Sequence, residues 1–74
     1  MKEIRDKKFR RLMKEAGLAK VELIKGEGYH YITSDDEVLS NKIAMMNSSS
    51  IYVCHFNHQT PEQWVEDIKR MLND

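Results

Sequence analysis

The sequence predicts a small α+β domain in which a three-stranded sheet, a β-hairpin plus one strand, is packed by N- and C-terminal helices, with a short middle helix and the order α-β-β-α-β-α. Three observations carry that expectation. Apolar residues recur at helical spacing near both ends of the chain. Two runs rich in β-branched and aromatic residues flank Lys25-Gly26-Glu27-Gly28, and "IYVCHF", residues 51–56, is six residues of almost unbroken β-preference.

Residues 3–16 read as an amphipathic helix, with Phe9, Leu12, Met13 and Ala16 on one face. Gly17 suits the left-handed stop of that helix, and Leu18 is the apolar residue that folds back on its last turn. "VELI" and "YHYIT" then form the hairpin. A two-residue loop at Gly26-Glu27 pairs Lys25 with Gly28 and places Val21, Leu23, His30 and Ile32 on one face, with Glu22, Ile24, Tyr29 and Tyr31 on the other. A three-residue loop sets Leu23 beside Tyr31 instead.

Helical spacing returns with Val38, Leu39, Lys42, Ile43 and Met46, a helix of residues 36–46 capped by Ser34 or Asp35. Serines 48 to 50 make a polar break. The last helix has the clearest start: Thr60 at the cap, Pro61 at the first helical position and Gln63 completing a capping box. Trp64, Val65, Ile68, Met71 and Leu72 are its apolar stripe, and Trp64 is the expected centre of the core. Glu62 and Glu66 stand near the positive end of its dipole.

With 74 residues, residues 1–74 form one domain, and a chain of this size buries only roughly 60% of its unfolded surface. No apolar run is long enough to span a bilayer, and the amino terminus lacks the continuous apolar segment of a secretory signal, which places the chain in the cytoplasm. The single Cys54 cannot close an internal disulfide. Net charge is zero, yet residues 1–25 carry nine Lys/Arg against four Asp/Glu and residues 26–74 carry three against eight. A chain so balanced overall departs from the strongly basic balance of a phosphate-backbone binder.

Motifs for specific chemistry fail on spacing. An RNA-recognition motif needs an aromatic directly after Lys-Gly, whereas Lys25-Gly26 precedes Glu27-Gly28. A double-stranded RNA-binding domain shares the element order, but the start of the last helix offers Glu62, Glu66 and Asp67 to phosphates. Cys54 and His55 adjoin within a strand and point to opposite faces, so neither a metal site with His58 and His30 nor a Cys-His catalytic pair is expected; a buried Cys54 and surface histidines are. No catalytic, cofactor-binding or metal-ligating set is assigned. Of the methionines only Met45 is expected to be exposed. The basic run Lys7, Lys8, Arg10, Arg11 and Lys14 is either a solvated helix face or a patch for an acidic partner.

"VELIKGEGYHYI" followed by "SSSIYVCHFNHQTPEQWVEDI" resembles a group of small uncharacterised proteins encoded by bacterial phages, plasmids and integrative elements. The matching positions are Gly26, Glu27, Gly28, Tyr29, Ser49, Ser50, Tyr52, Val53, Asn57, Thr60, Gln63 and Trp64, within residues 21–68. His30 and His55 depart from the pattern, which has aromatic or basic residues there. The resemblance implies a mobile-element accessory protein and no reaction.

The function expected is therefore non-enzymatic: binding of an unknown protein partner, encoded by the host or the element, that modulates host machinery or defence. The candidate interaction surface is Tyr29, Tyr31 and Tyr52 together with Lys7, Lys8 and Arg11. The alternative is a small nucleic-acid-binding module that uses the basic first helix. Homodimerisation is a further expectation. The tyrosines are either an uncovered face or a second small core under the middle helix.

Overall fold

Asp6 fixes where the first helix begins. Its carboxylate accepts a hydrogen bond from the Phe9 backbone N–H at 2.9 Å, the geometry of an N-cap, so α1 runs Lys7–Glu15 rather than from residue 3. The residues ahead of the cap are then free to pair. In the computed structural model, which describes residues 2–46 and 49–73, they form a short strand, β1 (Lys2–Glu3), antiparallel to β2 (Val21–Lys25). Among the described residues the sheet therefore has four strands, not three.

Helix α1 stops as expected. Gly17 has φ +76°, its N–H donates to the Lys14 carbonyl at 3.1 Å, and the Leu18 N–H donates to the Met13 carbonyl at 2.8 Å. These two bonds make the Schellman stop, and half-buried Leu18 packs against the core.

The hairpin reverses one residue later than expected. The left-handed glycine is Gly28, φ +78°, so Glu27 and Gly28 make the turn and the Gly26 N–H donates to the Tyr29 carbonyl at 2.8 Å. Strand β3 (His30–Ser34) consequently pairs Lys25 with His30 and Leu23 with Ile32, against both registers considered from the sequence. A shift of two residues preserves the alternation of side chains. Val21, Leu23, His30 and Ile32 share one face as expected, and that face is the core, while Glu22, Ile24, Tyr29 and Tyr31 lie on the other face, half-buried.

Asp36, neither Ser34 nor Asp35, caps α2 (Glu37–Ala44), accepting from the Leu39 N–H at 3.1 Å. Ser34 is buried instead, donating to the Lys20 carbonyl at 2.6 Å and accepting from the Asp36 N–H at 3.1 Å. Ile43 is the buried residue of α2, with Leu39 and Met46 against the core, and Val38 turns out to solvent at 76% exposure. Ser48 of the polar break, with Asn47 before it, lies outside the described residues.

The run at 51–56 is not a six-residue strand. Only Ser50–Ile51 pairs, as β4, opposite Tyr31 and His30. Beyond His30 the chain turns at Gly28, so no strand edge remains for Val53 to Phe56. The backbone folds over instead, with the Val53 N–H to the Ile51 carbonyl at 2.9 Å and a 3-10 turn at Phe56–His58. Side-chain preference for β structure cannot act without a partner strand. Helix α3 (Pro61–Asn73) opens with the expected reciprocal capping box: the Gln63 N–H to Thr60 Oγ1 at 3.2 Å and the Thr60 N–H to Gln63 Oε1 at 3.1 Å.

The antiparallel sheet has the order β1-β2-β3-β4. Phe9 and Met13 of α1, Ile43 of α2, and Trp64, Val65, Ile68 and Leu72 of α3 form one cluster with Val21, Leu23 and Ile32. All three helices thus bury their apolar sides on the same face of the sheet. Trp64 is fully buried, as its size suggests, with its Nε1–H donating to the Phe56 carbonyl at 2.7 Å and its ring stacked on Phe56 at 5.6 Å. Among the described residues no helix is long and apolar enough to cross a membrane.

Candidate interaction surface

The sheet face away from the helices is built by the strand alternation of β2 and β3. Ile24 is paired directly with Tyr31, and Tyr31 with Ser50 of β4, so these side chains line one side. Tyr29 joins them across the turn. Its ring lies over Gly26, where an added Cβ would stand 2.6 Å from the ring, and it meets the Tyr31 ring at a centroid distance of 6.1 Å. A cross-strand aromatic thus shields the backbone that the glycine leaves bare. Just beyond β4, Tyr52 is 82% exposed. The middle helix does not cover these rings, because Ile43, Leu39 and Met46 turn it to the opposite face. Glu3 and Glu22 border the patch, at β1 and β2.

The basic residues of α1 do not join that surface. Phe9 and Met13 anchor α1 on the core face, so its charged side lies across the sheet from the tyrosines. Within the run the roles divide. Lys8 pairs with Glu62 of α3 at 3.1 Å, and the Glu62 carboxyl is held below its usual range first by its own backbone N–H and then by Lys8. Arg11 pairs with Glu15 at 3.7 Å, one turn along. Lys7, Arg10 and Lys14 are exposed and have no acidic partner within ion-pair distance among the described residues. Spaced by three and four, they share one flank of the helix. That flank forms a wall of an open groove of about 470 Å³ between α1 and the outer edge of β2, lined by five cations against two carboxylates, Glu3 and Glu22. Of the basic residues singled out from the sequence, Lys8 and Arg11 are therefore paired with carboxylates, and Lys7 is not.

The cysteine and histidines separate. Cys54 is exposed rather than buried, His55 and His58 are exposed with rings 4.9 Å apart, and His30 is fully buried rather than at the surface. Among the described residues no three His, Cys, Asp or Glu side chains come together as a metal-binding group. His30 Nδ1 donates to the Val53 carbonyl at 2.7 Å, and Nε2 is buried with no hydrogen-bond partner among the described residues. That role had a signal in the sequence: His30 alternates in phase with Leu23 and Ile32. What it captures, a carbonyl 23 residues on, had none.

The molecule thus has an aromatic and aliphatic face on one side and a cationic groove on the other. No protein-family model, curated protein or solved structure matches the chain.

Proposed function

We propose that the chain is a non-enzymatic accessory protein of a mobile genetic element, a phage or plasmid, that acts in the cytoplasm by binding another protein through Ile24, Tyr29, Tyr31 and Tyr52. One observation carries this reading: the helices bury their apolar sides on one side of the sheet, and the other side presents Ile24, Tyr29 and Tyr31 together, bordered by Glu3 and Glu22. Tyrosine supplies large contact area with a polar tip and little rotamer entropy to lose, which is why it concentrates at interfaces. Modulation of host machinery or defence is the role such binding would serve.

The test is capture from a host lysate with wild type and with Tyr29→Ser/Tyr31→Ser side by side. A protein held by the wild type and released by a variant of unchanged melting temperature supports the reading. An identical captured set with both proteins overturns it. The second reading, a nucleic-acid-binding module, is favoured by the unpaired cations Lys7, Arg10 and Lys14. It requires salt-sensitive gel shifts that vanish when those three are replaced.

A further inference from the structure

The groove beside α1 carries an excess of positive charge, of which Lys7, Arg10 and Lys14 have no ion-pair partner among the described residues, and the same edge of the molecule carries the complementary feature. At the start of α2, Asp35 and Glu37 are exposed and have no cationic partner among the described residues, and Val38 beside them is 76% exposed. Asp36, between them, is committed to capping Leu39 and to Lys20 at 3.4 Å. This is an acidic corner tipped by an aliphatic side chain. The groove is its counterpart: Lys7, Arg10 and Lys14 form the rim, and half-buried Ile4 and exposed Ala19 line it between them.

We propose that the groove is filled by the Asp35–Val38 corner of a second copy of this chain, and that the two corners exchange about a two-fold axis. The geometry favours exchange because Glu22 lines both the groove and the depression formed by Lys20, Asp35 and Asp36, which places donor corner and acceptor groove next to each other on one edge. A two-fold contact requires such self-complementary neighbours, each copy giving what it receives. The opposed charges of the two segments supply the attraction and fix the register. Single-stranded nucleic acid is the poorer occupant. Base stacking needs exposed aromatic rings, and the one aromatic lining the groove, Phe9, is only 2% exposed. None of Tyr29, Tyr31 and Tyr52 lines the groove or the depression beside the corner, so the assembly is independent of the function proposed above.

Sedimentation of the full chain from micromolar to millimolar concentration, at low and at high salt, tests the proposal. A monomer–dimer equilibrium weakened by salt is expected. Lys7→Glu/Arg10→Glu/Lys14→Glu and, separately, Asp35→Lys/Glu37→Lys each weaken self-association by at least about tenfold, and mixing the two variants restores a dimer, because the reversed charges are complementary again. That restoration also shows that both variants fold. Three results overturn the proposal: a monomer at millimolar concentration in low salt, association indifferent to both charge reversals, or growth beyond dimers, which would mean that the corners do not exchange. If the chain stays monomeric while a labelled oligonucleotide or an acidic peptide of Glu and Val saturates the groove, the occupant is not a second copy.

Discussion

The imidazole of His30 packs against the indole of Trp64 with ring centroids 4.7 Å apart, and both side chains are wholly buried. Each ring also holds one carbonyl of the segment after β4: His30 Nδ1 donates to Val53 and Trp64 Nε1 to Phe56. The segment without a strand partner is thus tied to the core by two side chains rather than by a ladder. Trp64→Ala is expected to cost about 3 to 5 kcal/mol, the range for deleting a large buried aromatic, which in so small a domain approaches the whole stability. Chemical denaturation followed by circular dichroism measures it, and a loss below about 1 kcal/mol would contradict the role given to the indole.

His30→Phe separates packing from tethering. The phenyl ring keeps the contact with Trp64 and removes the orphaned Nε2, but it leaves the Val53 carbonyl without its donor. The two terms oppose one another, each about 1 to 3 kcal/mol, so global stability changes little. Amide exchange in residues 53–58 is expected to accelerate while the core of α3 stays protected. Uniform acceleration throughout the molecule would show that the tether supports the whole fold.

What the sequence made legible, and what it did not, divides along the range of the cause. The capping box at Thr60 and Gln63 and the Schellman stop at Gly17 are local, formed by residues three to five apart, and both are present. Core phase was legible for the same reason, since Leu23, Ile32, Trp64 and Ile68 follow strand and helix periods. The misses required knowledge of a distant partner. Lys2–Glu3 is a strand only because Lys25 and Ile24 stand ready to pair with it. "VCHF" fails as a strand because β3 has ended, a fact absent from those four residues. The tyrosine patch was legible as a face, whereas the groove was not: it depended on Lys8 and Arg11 finding Glu62 and Glu15 and so leaving Lys7, Arg10 and Lys14 as the unpaired set.

Acid is expected to loosen α2 through its cap. The Asp36 carboxyl is held below the ordinary value of 3.8, chiefly by the Leu39 backbone N–H and then by Lys20. A carboxyl with a depressed folded-state pKa contributes stability that is complete above the unfolded value and is lost as pH falls through the folded one. The melting temperature should therefore decline more steeply below about pH 4 in the wild type than in Asp36→Asn, whose amide oxygen still caps but does not titrate. Parallel pH profiles for the two proteins would remove Asp36 from the account of acid sensitivity.

The start of α3 gives a calibrated test of local capping. Thr60→Ala removes the acceptor for the Gln63 N–H and is expected to cost about 1 kcal/mol, with Thr60→Gly costing less, because glycine leaves the cap position open to solvent and adopts the cap conformation readily. Gln63→Ala breaks the reciprocal bond to the Thr60 N–H and should cost less than Thr60→Ala. Thermal denaturation of the three variants orders them, and the reverse order would show that the Gln63 side chain carries the cap.

Gly26 and Gly28 look alike in sequence and should respond differently to the same substitution. Gly28 has φ +78° with open space where a Cβ would stand, so Gly28→Ala is penalised by backbone conformation, by about 1 kcal/mol, and leaves its neighbours in place. Gly26 has no such φ, but its Cβ would meet the outer ring atoms of Tyr29 at 2.6 to 3.0 Å. That ring lies at the surface, half-buried, and can swing about χ1. Gly26→Ala is therefore expected to displace Tyr29 from the patch at modest cost in stability, changing the binding face without altering any tyrosine. Loss of the captured partner in Gly26→Ala but not in Gly28→Ala, with melting temperatures lowered in both, would place Tyr29 in the contact. Equal retention by both variants would confine the contact to Ile24, Tyr31 and Tyr52.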